Sequence, residues 1–422
     1  MPVCCYLPFC GMIYLDYNAT TPVDPAVLER MLPYFSERFG NPSSAAHAMG
    51  WTAEAAVDRG AGQLAELLSC NAGDLVFTSG ATEAINHAIK GVASVRGKGA
   101  HLITVATEHM AVLDCFASLA ADGWRTTVLP VNGDGMIDLD LLRDSIANDT
   151  ALIATMWANN EIGVIHPIAK IAEIAHVADV PLFVDATQAV GKIPVSVEGI
   201  DLLACSAHKF YGPKGVGALY VRRGRGAVRL KRFVDGGSQQ RLQRGGTLNV
   251  PGIVGIGQAA QIAAERLSDE KNRLESLRDR LEKKLLSACD GAFVNGSGAP
   301  RLPQTLSITF PGAPAESMLL RLRDLALSTA SACSSGSATP SHVLTAIGLS
   351  PEDAGATFRI SLGRPTTESE VDAAAEQLIE AWRAATQSAG KQVGIGAGLK
   401  ESDAERQWDA RATDRVSPLN PL

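Results

Sequence analysis

Leu202-Leu203-Ala204-Cys205-Ser206-Ala207-His208-Lys209-Phe210-Tyr211-Gly212-Pro213-Lys214-Gly215 sets an apolar run of strand length directly against a hydroxyl, an imidazole, a lysine and a tight glycine-containing turn. Working outward, similar apolar runs occur at Pro181 to Val184 and Gly217 to Val221, and upstream at Asp74 to Thr78, His101 to Val105 and Ala151 to Ala158. Helical stretches separate most of them. From Ile13 to about Ala260 this alternation predicts an α/β domain with a mostly parallel sheet covered by helices. In such sheets ligands sit outside the carboxyl ends of the strands, so chemistry is sought just after each run.

The chain has 422 residues, with 38 Lys and Arg against 45 Asp and Glu and a formal net charge of −7. That excludes a generally basic nucleic-acid binder, and no direct nucleic-acid binding is expected. The composition, 46% hydrophobic and 20% charged, is that of a globular protein. No apolar run reaches the roughly 18 residues that cross a bilayer, and the first ten residues lack the features of a signal peptide. The expectation is a cytoplasmic protein without a membrane segment. Eight cysteines in so long a chain do not suggest a disulfide framework. Cys4, Cys5 and Cys10 match no zinc spacing, and no metal is expected. Residues 1–12 read as an extension, or as sequence upstream of a start at Met12.

Between Ala260 and Ala288 apolar residues recur at helical spacing among many charges, which predicts one long amphipathic helix and a domain boundary near residue 260. After it the pattern predicts a strand at Leu306 to Phe310, a helix around Ser317 to Leu325, a strand at Phe358 to Leu362 and a helix from Glu368 to about Ala385. The organisation is thus an extension (1–12), a large domain (13–260), a smaller α+β domain (261–388) and a flexible tail (389–422).

Three features follow the predicted strand ends. After Phe77, Thr78-Ser79-Gly80-Ala81-Thr82-Glu83 opens a helix whose free N–H groups and Thr82 hydroxyl form an anion seat, although Ser and Thr also cap helices routinely. Phe183-Val184-Asp185 places a carboxylate where an apolar run stops, with Gln188 three residues on. Asp185 suits a protonated ring nitrogen or, equally, a structural ion pair. Lys209 stands beside a hydroxyl, an imidazole and a glycine turn, where a desolvated amine forms Schiff bases; alone it would read as a surface lysine. An anion seat, an acid and a Schiff-base lysine in that order along one α/β domain are a protein's three handles on pyridoxal 5′-phosphate.

At this point the chain resembles the cysteine desulfurase family of fold-type I pyridoxal-phosphate enzymes, from about Tyr14 to Ala385. The matching segments include Leu15-Asp16-Tyr17-Asn18-Ala19-Thr20-Thr21-Pro22, Gly40-Asn41-Pro42-Ser43-Ser44, Ser79-Gly80-Ala81-Thr82-Glu83 and Thr107-Glu108-His109. They continue with Asn159-Asn160-Glu161-Ile162-Gly163, Val184-Asp185-Ala186-Thr187-Gln188, His208-Lys209-Phe210-Tyr211-Gly212-Pro213-Lys214-Gly215, Gly246-Thr247-Leu248 and Arg359-Ile360-Ser361-Leu362-Gly363-Arg364. The resemblance implies a large domain with a mostly parallel seven-stranded sheet and a smaller C-terminal domain.

It also implies roles. Lys209 matches the Schiff-base lysine, which is afterwards free to move the substrate α-proton. Asp185 matches the residue that keeps the ring nitrogen protonated, Gln188 the donor to the ring oxygen, and His109 the imidazole stacked on the ring that serves in proton transfer. Ala81, Thr82, Ser206 and His208 match the phosphate seat. Thr247 matches a residue that the family contributes from the partner subunit, which implies a homodimer. Arg359, with its guanidinium fork, and Asn160 match the contacts to the substrate carboxylate, with a structural ion pair on a strand as the competing reading of Arg359.

Cys333 decides between chemistries. It lies in Ser328-Thr329-Ala330-Ser331-Ala332-Cys333-Ser334-Ser335-Gly336-Ser337-Ala338, where small and polar side chains predict a mobile loop and an accessible thiol. The family's nucleophile sits at this position, in the long form of the loop. The resemblance implies conversion of L-cysteine to L-alanine, a persulfide on Cys333, and transfer of its sulfur to an acceptor protein, whether in iron–sulfur cluster assembly, tRNA thiolation or DNA phosphorothioation. A selenocysteine lyase or another fold-type I enzyme such as an aminotransferase would share the cofactor apparatus without depending on Cys333. A non-catalytic scaffold would keep only the fold. No Gly-x-Gly-x-x-Gly opens a helix after a strand, which excludes a nicotinamide site. Cys70, Cys115, Cys205 and Cys289 sit in or beside predicted elements, where packing accounts for them.

Overall fold

The computed structural model describes residues 11–224, 226–329 and 340–396, with residues 388–396 described as backbone only. The expectations for residues 1–10, for residues 330–338 of the loop carrying Cys333 and for residues 397–422 of the tail fall outside the described residues. Ser328 and Thr329, expected in that loop, instead form a short strand because they pair with the neighbouring strand of the small sheet. Seven strands form the large sheet, in the spatial order Leu75–Thr78, Gly217–Val221, Leu202–Ser206, Leu182–Asp185, Thr150–Met156, His101–Val105 and Arg125–Leu129. Five neighbouring strands, from Leu202–Ser206 to Arg125–Leu129, run parallel. Gly217–Val221 is antiparallel to both its neighbours.

Period-two alternation explains why these runs read as continuously apolar. Leu102, Phe183, Leu202 and Ala204 enter one core, while Ile103, Val184, Leu203 and Cys205 enter another on the opposite face. A strand covered on both sides has no solvent face, so every position along it is apolar. The first core is closed by the helices Ala81–Arg96 and Met110–Ala121, the second by Ala48–Leu68 and Ile168–Val177. The six expected runs are all strands, with ends within two residues of the reading. Arg125–Leu129 was not expected as a strand. It is the sheet edge, and its residues are exposed or half-buried except Leu129, so it lacks the apolar signal.

One helix, Val250–Ala288, links two cores. Ile253, Ile256, Ala259 and Ala263 belong to the large-sheet core, whereas Leu277, Leu281 and Leu285 belong to a separate one. Burying each of these leucines contributes about 1.5–3 kcal/mol. The helix begins ten residues before the expected start at Ala260, and residue 260 lies within it. Gly252, Gly255 and Gly257 hide the helical pattern. The fold needs Gly257 for contact: a Cβ there would fall 2.5 Å from the Cα of Gly60, so the helix crosses Ala48–Leu68 at backbone contact.

A four-stranded antiparallel sheet, ordered Ser328–Thr329, Thr357–Ser361, Thr305–Thr309 and Phe293–Val294, covers the other end of that helix. Leu306, Ile308, Phe310, Phe358, Ile360 and Leu362 point into its core. By alternation Arg359 and Ser361 face the opposite side. The helix expected around Ser317 to Leu325 is only Ala315–Leu319. Met318, Leu322 and Leu325 keep a helical spacing, but the backbone of Leu325 and Ala326 is taken by a parallel pairing with Ile13 and Tyr14. The final helix, Glu368–Gly396, begins where it was expected but runs past the expected end at about Ala385 and into residues read as a flexible tail, whose glycines at 394 and 396 mask the helical pattern. Among the described residues no helix is long and apolar enough to cross a membrane.

Candidate active site

A cavity of about 990 Å³ opens at the carboxyl ends of the parallel strands. Ala81, Thr82, His109, Asn160, Asp185, Gln188, Ser206, His208, Lys209 and Arg359 all line it. They arrive from five strand ends of the large sheet, those of Leu75–Thr78, His101–Val105, Thr150–Met156, Leu182–Asp185 and Leu202–Ser206, except Arg359, which comes from the small sheet. Thr247 is exposed and does not line this cavity. Cys333 lies outside the described residues.

The anion seat is built from backbone. Gly80 caps the helix Ala81–Arg96 and offers no side-chain oxygen to its first N–H groups. Those groups are therefore available to a ligand, at the positive end of a 16-residue helix. The alternative of side-chain capping by Ser or Thr is not what the structure has. Glu83 reaches back to accept the Ser79 N–H at 2.8 Å and also pairs with Arg244 at 2.9 Å, which fixes the turn. Burial pushes its carboxyl up, but the bonds from Arg244 and Ser79 together outweigh that and hold it below the ordinary range. Gly217 on the adjacent strand has no room for a side chain: a Cβ would lie 2.7 Å from the carbonyl carbon of Gly80.

Asp185 ends its strand 5% exposed, and its Oδ1 accepts the Thr187 N–H at 3.0 Å. No cationic side chain is paired with it among the described ion pairs, so the structural salt bridge considered for it is absent there. Lys209 donates from Nζ to the carbonyls of Asn18 at 2.6 Å and Ala19 at 2.8 Å, which orients its amine at the cavity wall. His208 exchanges a hydrogen bond with Thr20 at 3.1 Å through Nδ1. Burial, with the charges of Lys209, Lys214 and Lys192 added, pushes the His208 pKa down to about 4, so the ring is neutral near pH 7. His109 accepts the Ala111 N–H on Nδ1 at 3.1 Å, which leaves Nε2 as the nitrogen that carries a proton.

Arg359 donates through Nη2 to Asp16 at 2.8 Å and Ser328 Oγ at 2.9 Å, and through Nη1 to the Asn160 carbonyl at 3.3 Å. The segment 330–339, which carries Cys333, is flanked by cavity groups on both sides. Ser328 touches Arg359 before it, and Pro340, Ser341 and His342 line the cavity after it.

A model of the class-V aminotransferase family matches residues 13–374. A cysteine desulfurase IscS of Anaeromyxobacter sp. (strain Fw109-5) is 48% identical over 371 residues, covering 87% of this chain and 92% of that protein. The chain belongs to the cysteine desulfurase family. Solved structures agree. A NifS-like protein superposes with a TM-score of 0.81 at 38% identity, over 87% of this chain and 98% of that one. A structure described as SspA in complex with cysteine gives a TM-score of 0.74 at 38% identity, over 83% of this chain and 98% of that one.

Within this cysteine desulfurase framework, two residues that sequence reasoning did not single out hold the site together. Asn18, 1% exposed, accepts from Lys209 and Gln188 on its carbonyl, and donates from Nδ2 to Thr305 at 2.9 Å and to the Asn160 carbonyl at 3.2 Å. It thereby ties the large sheet to the small one. Glu108 is fully buried, and its Oε1 accepts the Met156 N–H at 2.7 Å. Burial pushes its carboxyl well above the ordinary range, with Asp185 adding to the shift against the pull of that hydrogen bond. Both residues lie in the matched motifs, and that was the only sequence signal for them.

Proposed function

We propose that the chain converts L-cysteine to L-alanine with pyridoxal 5′-phosphate as cofactor, keeps the released sulfur as a persulfide on Cys333, and passes it to a sulfur-acceptor protein. One observation carries the reading: an uncapped helix N-terminus, a buried carboxylate and a lysine amine face one cavity that also holds an arginine. These groups suit, in turn, a phosphate, a pyridine nitrogen, an aldehyde and a substrate carboxylate. When bound, the cofactor supplies an electron sink for the α-carbon of the amino acid.

The residues then divide the work. Ala81, Thr82, Ser206 and His208 hold the phosphate. His208, being neutral, donates or accepts a hydrogen bond without adding charge to the seat. Asp185 holds the ring nitrogen in its protonated form. Gln188 Nε2 and His109 position the ring, and His109 Nε2 carries the proton that this face can exchange. Arg359 and Asn160 orient the L-cysteine carboxylate. Lys209 takes the α-proton and returns it on the product side. The Cys333 thiolate attacks the substrate sulfur; that S–S bond forms as the C–S bond breaks, and the electron pair left on carbon is protonated to give alanine. The acceptor's thiolate then takes the outer sulfur and frees Cys333.

A second copy of the chain completes the proposed site by bringing Thr247. Support comes from Leu28, Leu32, Phe35 and Phe39, large apolar side chains close together in the chain that are left 47%, 55%, 62% and 68% exposed, as surface that self-association covers is.

Replacing Cys333 with Ala while keeping Lys209 tests the reading. Loss of cysteine-dependent sulfide and alanine formation, with cofactor uptake retained, supports it. Full activity in that variant rules out Cys333 as the nucleophile.

A further inference from the structure

Gln188 is placed between two groups whose chemistry fixes its amide. The Asn18 carbonyl can only accept, so the group 2.9 Å from it must be Nε2. Oε1 therefore points the other way, where the Lys192 Nζ donates to it at 2.5 Å. The intervening turn is helical in its hydrogen bonding, with the Val190 N–H on the Ala186 carbonyl and the Ile193 N–H on the Ala189 carbonyl, which sets residues 188 and 192 on one side. The same Asn18 carbonyl accepts from Lys209 at 2.6 Å. Lys192, Gln188, Asn18 and Lys209 thus form one connected chain of contacts. Lys192 and Lys209 also share a second cavity of about 20 Å³, with Tyr17, Tyr211 and Gln304 among its other walls.

We propose that Lys192 is a positioning residue of the cofactor site: by donating to Oε1 of Gln188 it locks the amide with Nε2 toward Asn18 and the large cavity. This rests on the proposed function and adds to it the group that sets the orientation of the ring-oxygen donor. Without a donor at Lys192 the Gln188 Oε1 loses its partner and only the Asn18 carbonyl, already shared with Lys209, holds the amide; a flipped amide would present an acceptor to the cofactor oxygen. Burial, with Lys209 and Arg359 nearby, pushes the Lys192 amine well below the usual lysine range. In either protonation state it retains an N–H to give, so the lock does not depend on its charge.

The test is a double-variant cycle read by uptake of pyridoxal 5′-phosphate into the apo protein and by the visible absorption of the bound cofactor. Lys192→Met should weaken uptake by about tenfold and displace the absorption band, and Lys192→Arg should restore both. In a Gln188→Ala background, Lys192→Met should cost less than about twofold further, because the residue it acts through is gone. A thermal melt checks that each variant folds, and Lys192→Ala serves if the methionine variant does not. Normal uptake and an unmoved band in the lysine variant, or two single effects that simply multiply, overturn the inference while leaving the proposed function standing. A wild-type chain that takes up no pyridoxal phosphate overturns both.

Discussion

The guanidinium of Arg359 and the carboxylate of Asp16 meet at 2.8 Å although 343 residues separate them in the chain. Their side chains are 7% and 18% exposed, so this is an ion pair largely withdrawn from water. Removing one partner of such a pair leaves a charge with reduced compensation. Asp16→Asn is predicted to lower folding stability by roughly 3 kcal/mol, seen as a lower urea midpoint with an unchanged slope. An unmoved midpoint would show that Ser328 and the Asn160 carbonyl suffice for Arg359.

Arg359 itself is predicted to be irreplaceable by lysine. A point charge cannot meet Asp16, Ser328 and a substrate carboxylate together, as a planar fork can. Arg359→Lys should reduce kcat/KM for L-cysteine by at least about tenfold, or ~1.4 kcal/mol, mainly through KM. Steady-state alanine formation over a range of L-cysteine concentrations measures it.

The sequence made this fold legible wherever a strand is covered on both faces, as at Leu182–Asp185 and Leu202–Ser206, because burial there forces an unbroken apolar run. It failed at Arg125–Leu129, where an edge position removes that demand, and at the start of Val250–Ala288, where glycines serve a close helix crossing and mimic a loop. At the site, Asp185 and Lys209 could be read because strand ends mark them. The links from Lys192 to Gln188 and from Asp16 to Arg359 could not, since residue identity carries no distance. Asn18 was hidden for a related reason: its carbonyl does the work with Lys209 and Gln188, and any residue has one.

Thiol reactivity should separate the cysteines. Burial pushes the thiols of Cys70 and Cys205 up to about 12 and those of Cys115 and Cys289 up to about 11. None of the four holds much thiolate in mildly alkaline buffer. Brief iodoacetamide treatment of the native protein, followed by peptide mass mapping, should label Cys333 and leave Cys115, Cys205 and Cys289 unmodified. Rapid labelling of Cys205 would contradict its place in the sheet core.

A pH dependence follows from His166. The ring is 2% exposed, neither nitrogen has a hydrogen-bond partner among the described residues, and burial pushes its pKa from 6.5 down to about 4. Between those values the unfolded chain binds a proton that the folded chain refuses, so this residue's contribution to stability falls as pH drops from 6.5 toward 4. The slope is up to about 1.4 kcal/mol per pH unit. His166→Leu should flatten the pH dependence of urea unfolding by that amount in that window and leave it unchanged above pH 7.

The central claim is that Lys209 and Cys333 act in sequence on one L-cysteine molecule. The most direct measurement is peptide mass analysis of the cofactor-loaded protein after exposure to L-cysteine without reductant. The account predicts that the peptide carrying Cys333 gains the mass of one sulfur atom, alongside one equivalent of alanine, and that Lys209→Ala abolishes both. Added sulfur on another cysteine, or alanine formation that persists without Lys209, would contradict it.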